Sequence, residues 1–176
     1  IVDPVSVDEL SAVARVSGAP EIERGSLVHA LNQRAMARRA AASLGKRYEE
    51  CRFVVAHLGT GVTIGAHEGG CIVDVIGAKA DGPFSAERAG GLPADALIKL
   101  CFSGRWTEAE LSVKLLSGWG FVSYLGTRDL REIFARAERD ESALLVLAAF
   151  VYQAAKAIGE LAEALDRLIR EHGYSQ

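Results

Sequence analysis

The sequence predicts a mixed α/β fold, a three-stranded antiparallel meander packed with helices. Three observations carry this. Short apolar or alternating runs at 53–56, 62–66 and 71–76 are separated by Gly59-Thr60-Gly61 and by Glu68-Gly69-Gly70. Such spacing suits strands joined by tight glycine turns. Helix-like text flanks the runs on both sides, and the stretch from Asp140 to about His172 is long and almost uniformly apolar between Leu144 and Ile158, as in a helix buried at the centre of a domain.

In chain order, Ser6-Val7-Asp8-Glu9 reads as a capping box opening a helix from Val7 to Val16, ended by Gly18 and Pro20. A second helix is expected from Ser26 to Leu44, closed by Gly45. On it Arg34, Arg38 and Arg39 are assigned to a solvated face. The hairpin region spans 53–76, a glycine-bearing loop spans 77–93, and the remainder, 94–172, is helical, with a second capping box at Thr107-Glu108-Ala109-Glu110. Together these read as a single lobe, 1–176. Three strands leave unpaired sheet edges, so more chain or a partner is expected beside them.

Composition narrows the function classes. A net charge of −3 with both signs interspersed argues against a nucleic-acid binder, which would carry a basic patch. No continuous apolar run reaches the ~18–20 residues of a membrane helix, and a cytoplasmic location is expected. Cys51, Cys71 and Cys101 are far apart and read as small core residues. The chain opens at Ile1 rather than Met, and is read as part of a longer product.

The strongest chemical signal is Phe53-Val54-Val55-Ala56-His57-Leu58-Gly59-Thr60-Gly61-Val62-Thr63-Ile64-Gly65. A strand enters a Gly-Thr-Gly turn and leaves as a second strand. Consecutive N–H groups in such a turn can cradle phosphate oxygens, with the Thr60 and Thr63 hydroxyls adding hydrogen bonds; a plain tight turn needs the same glycines. His57, just before the turn, is placed to donate to a phosphoryl oxygen as charge develops, or simply ends a strand. Arg88 stands among small residues in Gly82–Pro93, where it suits bidentate binding of a phosphoryl or carboxylate group or pairs with Glu87 or Asp81. His29, Asn32 and Gln33 share a helix face and are candidates for lining a cleft.

Taken together, VDPVSVDELSAVARVSGAPEIERGSLVHALNQRAMARR, VVAHLGTGVTIGAHEGGCIVDV, GPFSAERAGGLP, IKLCFSGRW, VSYLGTRDLREI and YQAAKAIGELA resemble the butyrate kinases, in the correct order from Ile1 to about Leu165. The resemblance implies one lobe of an actin-like (ribonuclease-H-like) ATPase domain and an activity that moves a phosphoryl group between ATP and a short-chain carboxylate, giving acyl phosphate and ADP with Mg2+. It implies that His57 opens the second phosphate loop, made by Gly59, Thr60, Gly61 and Thr63, and that Arg88 faces the acyl phosphate. Positioning and charge neutralisation are what phosphoryl transfer chiefly needs. No magnesium ligand is assigned; Asp74 and Asp81 are the nearby candidates. The first phosphate loop and the adenosine-contacting Gly-Gly turn of the family have no counterpart in the chain, so little activity is expected of it alone. A homo-oligomer or a missing lobe is the expected partner, and an inactive actin-fold binding module is the alternative reading.

Overall fold

The computed structural model describes residues 7–77 and 79–168, with the side chains of 167 and 168 outside the description. Its elements are α1 (Ala12–Arg15), α2 (Ala30–Ser43), a single tight turn at Tyr48–Glu50, strands β1 (Arg52–Leu58), β2 (Val62–Glu68) and β3 (Cys71–Gly77), then α3 (Ala94–Cys101), α4 (Glu108–Val113), α5 (Phe121–Leu125), α6 (Leu130–Ala137) and α7 (Glu141–Glu163). The strands form one antiparallel sheet in the order β1-β2-β3. Residues group into two compact units. One holds the described residues of Ile1–His57, Thr63–Ile76 and Lys156–Gln176; the other holds Leu58–Val62 and those of Gly77–Ala155.

In the first unit, β2 is buried on both faces. Alternation sends Ile64 and Ala66 to one side, where they pack with Ile76 and with Ala157, Leu161 and Leu165. The intervening residues Thr63, Gly65 and His67 take the opposite side, and Gln33 of α2 bonds to both Thr63 and His67. β1 follows the same logic: Val54 and Ala56 join the Ile64 cluster, whereas Phe53 and Val55 join Ala37, Ala41 and Tyr48. His57 shares the parity of Phe53 and Val55, which puts it on the α2 side of the sheet.

The N-terminal helix is shorter than expected. Ser6 lies outside the described residues. Glu9 does not cap a helix: its carboxylate accepts the Ile72 N–H at 2.9 Å and pairs with Arg34. The Ser11 N–H donates to the Val73 carbonyl at 2.9 Å. The segment therefore runs along β3 and covers the edge that was expected to be open, and the helix begins only at Ala12. Burial pushes the Glu9 carboxyl up, but the hydrogen bonds from Arg34 and Ile72 outweigh it and hold the group below the ordinary glutamate range.

α2 also starts late, at Ala30 rather than Ser26. The Ser26 hydroxyl donates to the Val7 carbonyl at 2.6 Å, and the His29 N–H donates to the Thr63 hydroxyl at 3.3 Å, which holds residues 26–29 out of the helix. Its end is as expected: Gly45 takes φ +67°, with Gly45 N–H to Ala42 O and Lys46 N–H to Ala41 O, both at 3.0 Å. The solvated face assigned to its arginines holds for Arg38 and Arg39, both exposed. Arg34 is largely buried against Glu9, and Arg38 lies 5.7 Å from the centre of the Tyr48 ring.

The second unit is centred on Phe84, Phe121 and Phe150, whose ring centroids lie 5.2–5.8 Å apart in tilted and edge-on pairs. Val62, Leu125, Ile133, Ala143, Val146 and Leu147 surround them. Such pairs add about 0.5–1.5 kcal/mol each beyond area burial. The expected capping box holds: Glu110 N–H donates to Thr107 Oγ1 at 3.3 Å, and Thr107 N–H to Glu110 Oε2 at 2.8 Å. Asp140 caps α7 through the Ser142 and Ala143 N–H groups.

α7 departs from its expected burial. By length and composition Glu141–Asp166 would be long and apolar enough to cross a membrane, yet only 28% of the apolar 18-residue segment within it is buried. One face supplies both cores, while Leu145 and Tyr152 are about two-thirds exposed, at 70% and 65%. Cys51 is a buried core residue, but Cys71 and Cys101 are exposed.

Candidate active site

The first unit presents a histidine pair. His57, at the end of β1, has Nδ1 2.9 Å from Asn32 Oδ1 of α2. A carbonyl oxygen only accepts, so His57 Nδ1 carries a proton. The His29 ring, at the N-terminal end of α2, stacks on His57 with centroids 4.0 Å apart and planes 13° apart. Behind the pair runs a buried chain. His29 Nδ1 lies 2.8 Å from Thr63 Oγ1; Gln33 Nε2 donates to both Thr63 O and Thr63 Oγ1 at 3.0 Å; Gln33 Oε1 is 3.1 Å from His67 Nε2; and the Tyr48 hydroxyl is 2.7 Å from His67 Nδ1.

Gln33 and His67 are fully buried. Burial, with the Arg34 charge adding to it, pushes the His67 imidazolium down to about 4, so the ring is neutral at ordinary pH. Burial likewise pushes the Tyr48 phenol up to about 12. Gly65 makes room for the chain: a Cβ there would overlap Gln33 Oε1.

Of the three candidates for lining a cleft, Asn32 is exposed and His29 half-buried, while Gln33 lies wholly inside and links α2 to β2. The Thr63 hydroxyl, expected to meet phosphate, is buried and engaged by His29 and Gln33. Tyr48, Gly65 and His67 were not singled out from the sequence. The sole hint was the alternation that sets Thr63, Gly65 and His67 on one face of β2.

The second unit holds the glycine turn and the arginine loop. Gly59 N–H donates to Gly61 O at 3.2 Å, and Thr60 is exposed at the tip. Val62 anchors the end of this turn in the phenylalanine core. The arginine loop is fixed by its backbone: Ser85 N–H to Arg88 O at 3.0 Å, Gly91 N–H to Gly82 O at 2.8 Å, Ala89 N–H to Leu115 O at 3.0 Å and Phe121 N–H to Ser85 O at 3.0 Å. Gly90 takes φ +69°, and a Cβ there would sit 2.5 Å from Phe84 N.

The partners proposed for Arg88 in a surface pair are occupied. Glu87 pairs with Arg128 at 2.9 Å, and Asp81 accepts the Gly77 N–H at 3.4 Å. Among the described residues the Arg88 guanidinium makes no hydrogen bond or ion pair. A cavity of ≈ 730 Å³ borders this loop, lined by Phe84, Leu92, Trp119, Tyr124, Leu145 and Gln153 among others. With no charged side chain in its wall, it is unsuited to a triphosphate.

No group of three potential metal ligands occurs among the described residues. Asp74 is taken up by Arg24 at 3.0 Å and by the Val75 N–H at 2.7 Å. Among the described residues no magnesium site is assembled.

The folding pattern defines the class first. The structure superimposes on acetate kinase from Porphyromonas gingivalis with a TM-score of 0.79 at 24% identity, covering 88% of this chain and 41% of that one. A propionate kinase from Francisella tularensis gives 0.76 at 21% identity, covering 87% and 42%. The chain thus has the actin-like ATPase fold of those kinases. A family model described as the Acetokinase family matches residues 24–171, and the chain belongs to that family. It is 49% identical over 168 residues to a probable butyrate kinase of Clostridium botulinum (strain Alaska E43 / Type E3), and 47% identical over 168 residues to butyrate kinase 2 of Clostridium acetobutylicum. Each match covers 94% of this chain and 47% of the relative, so the chain spans about half the length of the curated relatives it matches.

Proposed function

We propose that the chain forms part of a short-chain carboxylate kinase that transfers a phosphoryl group between ATP and a butyrate-like acid. The observation that carries this is His57, its ring plane fixed by Asn32 and His29 and its Nε2 unengaged among the described residues, two residues ahead of Gly59-Thr60-Gly61. In the forward direction a carboxylate oxygen attacks the γ-phosphorus, the bond to the β–γ bridging oxygen breaks, and ADP leaves with that electron pair. The acyl phosphate is the product.

His57 Nε2 and the turn amides then stabilise the oxygens of the transferring group, and Arg88 neutralises charge on the acyl phosphate side. Thr63 serves by holding His29 rather than by touching phosphate. A divalent cation, Mg2+ in this reading, would supply charge neutralisation on the nucleotide phosphates; none of the described residues is assigned to hold it. The kinase is read as cytoplasmic and oligomeric, with neither membrane nor nucleic acid as partner.

Hydroxylamine trapping tests the reading. The complete kinase with ATP, Mg2+ and butyrate yields the acyl hydroxamate and equimolar ADP. Absence of hydroxamate from every acid of three to six carbons would sink it.

A further inference from the structure

We infer that Tyr48, His67, Gln33 and Thr63 form a one-way hydrogen-bond chain that locks His29 as a neutral imidazole with its proton on Nε2, and so makes it a fixed stacking platform that positions His57. The kinetic consequence rests on the kinase reading above; the tautomer does not.

The direction of the chain follows from what each atom can do. The Thr63 carbonyl has no proton to give, so the Gln33 atom 3.0 Å from it must be the amide nitrogen. That turns Gln33 Oε1 toward His67, and the facing His67 Nε2 must carry a proton. A neutral His67 then has a bare Nδ1, which accepts from the Tyr48 hydroxyl.

On the other side, Thr63 Oγ1 already receives the Gln33 amide and the His29 backbone N–H. A hydroxyl oxygen accepts twice and donates once, so its own proton goes to His29 Nδ1. His29 Nδ1 is therefore bare, and the ring proton sits on Nε2. Protonating His29 would put a donor against a hydroxyl with no acceptor capacity left.

The consequence falls on the neighbouring ring. Two imidazolium cations 4.0 Å apart in a stack repel each other. With His29 held neutral, that repulsion is absent and the stack fixes the plane of His57, two residues before the glycine turn in the sequence. Around His67, Arg34 and Glu9 act with opposite sign, and they pair with each other. Thr63, Gln33 and His67 are thus positioning residues, acting through His29.

Nitrogen-15 NMR of histidine-labelled protein is the direct test. Between pH 8 and pH 5.5 we expect His29 to keep an unprotonated Nδ1 and a protonated Nε2. Thr63→Val keeps the branched shape and removes the hydroxyl; the His29 signals should then become those of a tautomer mixture. Gln33→Glu, a second variant, cannot donate to Thr63, which turns its hydroxyl toward the new carboxylate and inverts the His29 tautomer. In the complete kinase Thr63→Val should lower kcat about tenfold with KM for ATP unchanged. A proton on His29 Nδ1 in the parent, or His29 signals unaltered in a folded Thr63→Val protein, overturns the assignment. Expected nitrogen signals together with a complete kinase that transfers no phosphoryl group would leave the tautomer standing and remove the kinase reading.

Discussion

A Cβ on Gly120 would overlap the Ser85 carbonyl oxygen and lie 2.8 Å from that of Arg88, and Gly120 itself adopts φ +79°. The arginine loop is thereby seated on a position that only glycine fills. Gly120→Ala combines left-handed strain with a backbone clash, each about 1–3 kcal/mol, so a loss of roughly 2–6 kcal/mol is expected in chemical denaturation. A variant as stable as the parent would show that the loop can move aside freely.

Gly65→Ala is expected to act on the histidine pair without touching it. The new methyl group displaces the Gln33 side chain, whose amide holds Thr63 and His67. In the complete kinase kcat should fall while Ser or Ala at the exposed Thr60 leaves thermal stability within about 0.5 kcal/mol. The comparison is made by steady-state kinetics beside thermal melts.

Stability should fall on mild acidification. The folded state holds His67 near 4, below its ordinary value of 6.5. Between those two values the unfolded chain binds the proton and the folded chain does not, so stability is full above about pH 6.5 and is lost as pH falls toward 4. The loss from this group approaches about 3 kcal/mol at pH 4. Urea titrations at pH 7, 5.5 and 4.5 should show the decline, and a His67→Gln protein should decline less steeply over the same range.

Arg88→Ala in the complete kinase should depress kcat by about 2–4 kcal/mol in activation free energy with little change in KM for ATP. Arg88→Lys should recover little, because an ammonium cannot reproduce the two-pronged donation of a guanidinium. Equal turnover by Arg88→Ala and the parent would remove this residue from the chemistry.

The sheet was legible because its signals are local. Glycine turns at 59–61 and 69–70 and alternating runs need no knowledge of distant chain, and the observed strands extend the expected ones by one or two residues at their ends. Gly45 and the Thr107–Glu110 box were legible for the same reason. What failed depended on distant partners. Glu9 looked like half of a capping box until Ile72 and Arg34 claimed its carboxylate. Arg34 looked solvated until Glu9 covered it. His57 and Arg88 stood out through their motifs, but the buried chain behind His57 depends on α2 lying across the second face of β2, and nothing in the spacing of Tyr48, Gly65 and His67 announces that.

The segment from Glu9 to Ser11 gives the sheet a direction of growth. With the Ile72 amide held by a carboxylate and the Val73 carbonyl taken by Ser11, β3 offers no template to an incoming strand there. The order β1-β2-β3 leaves β1 as the other outer strand. A strand added on that side of the sheet would lie beside β1, the strand that carries His57, so extending the sheet there and buttressing the histidine would be the same event.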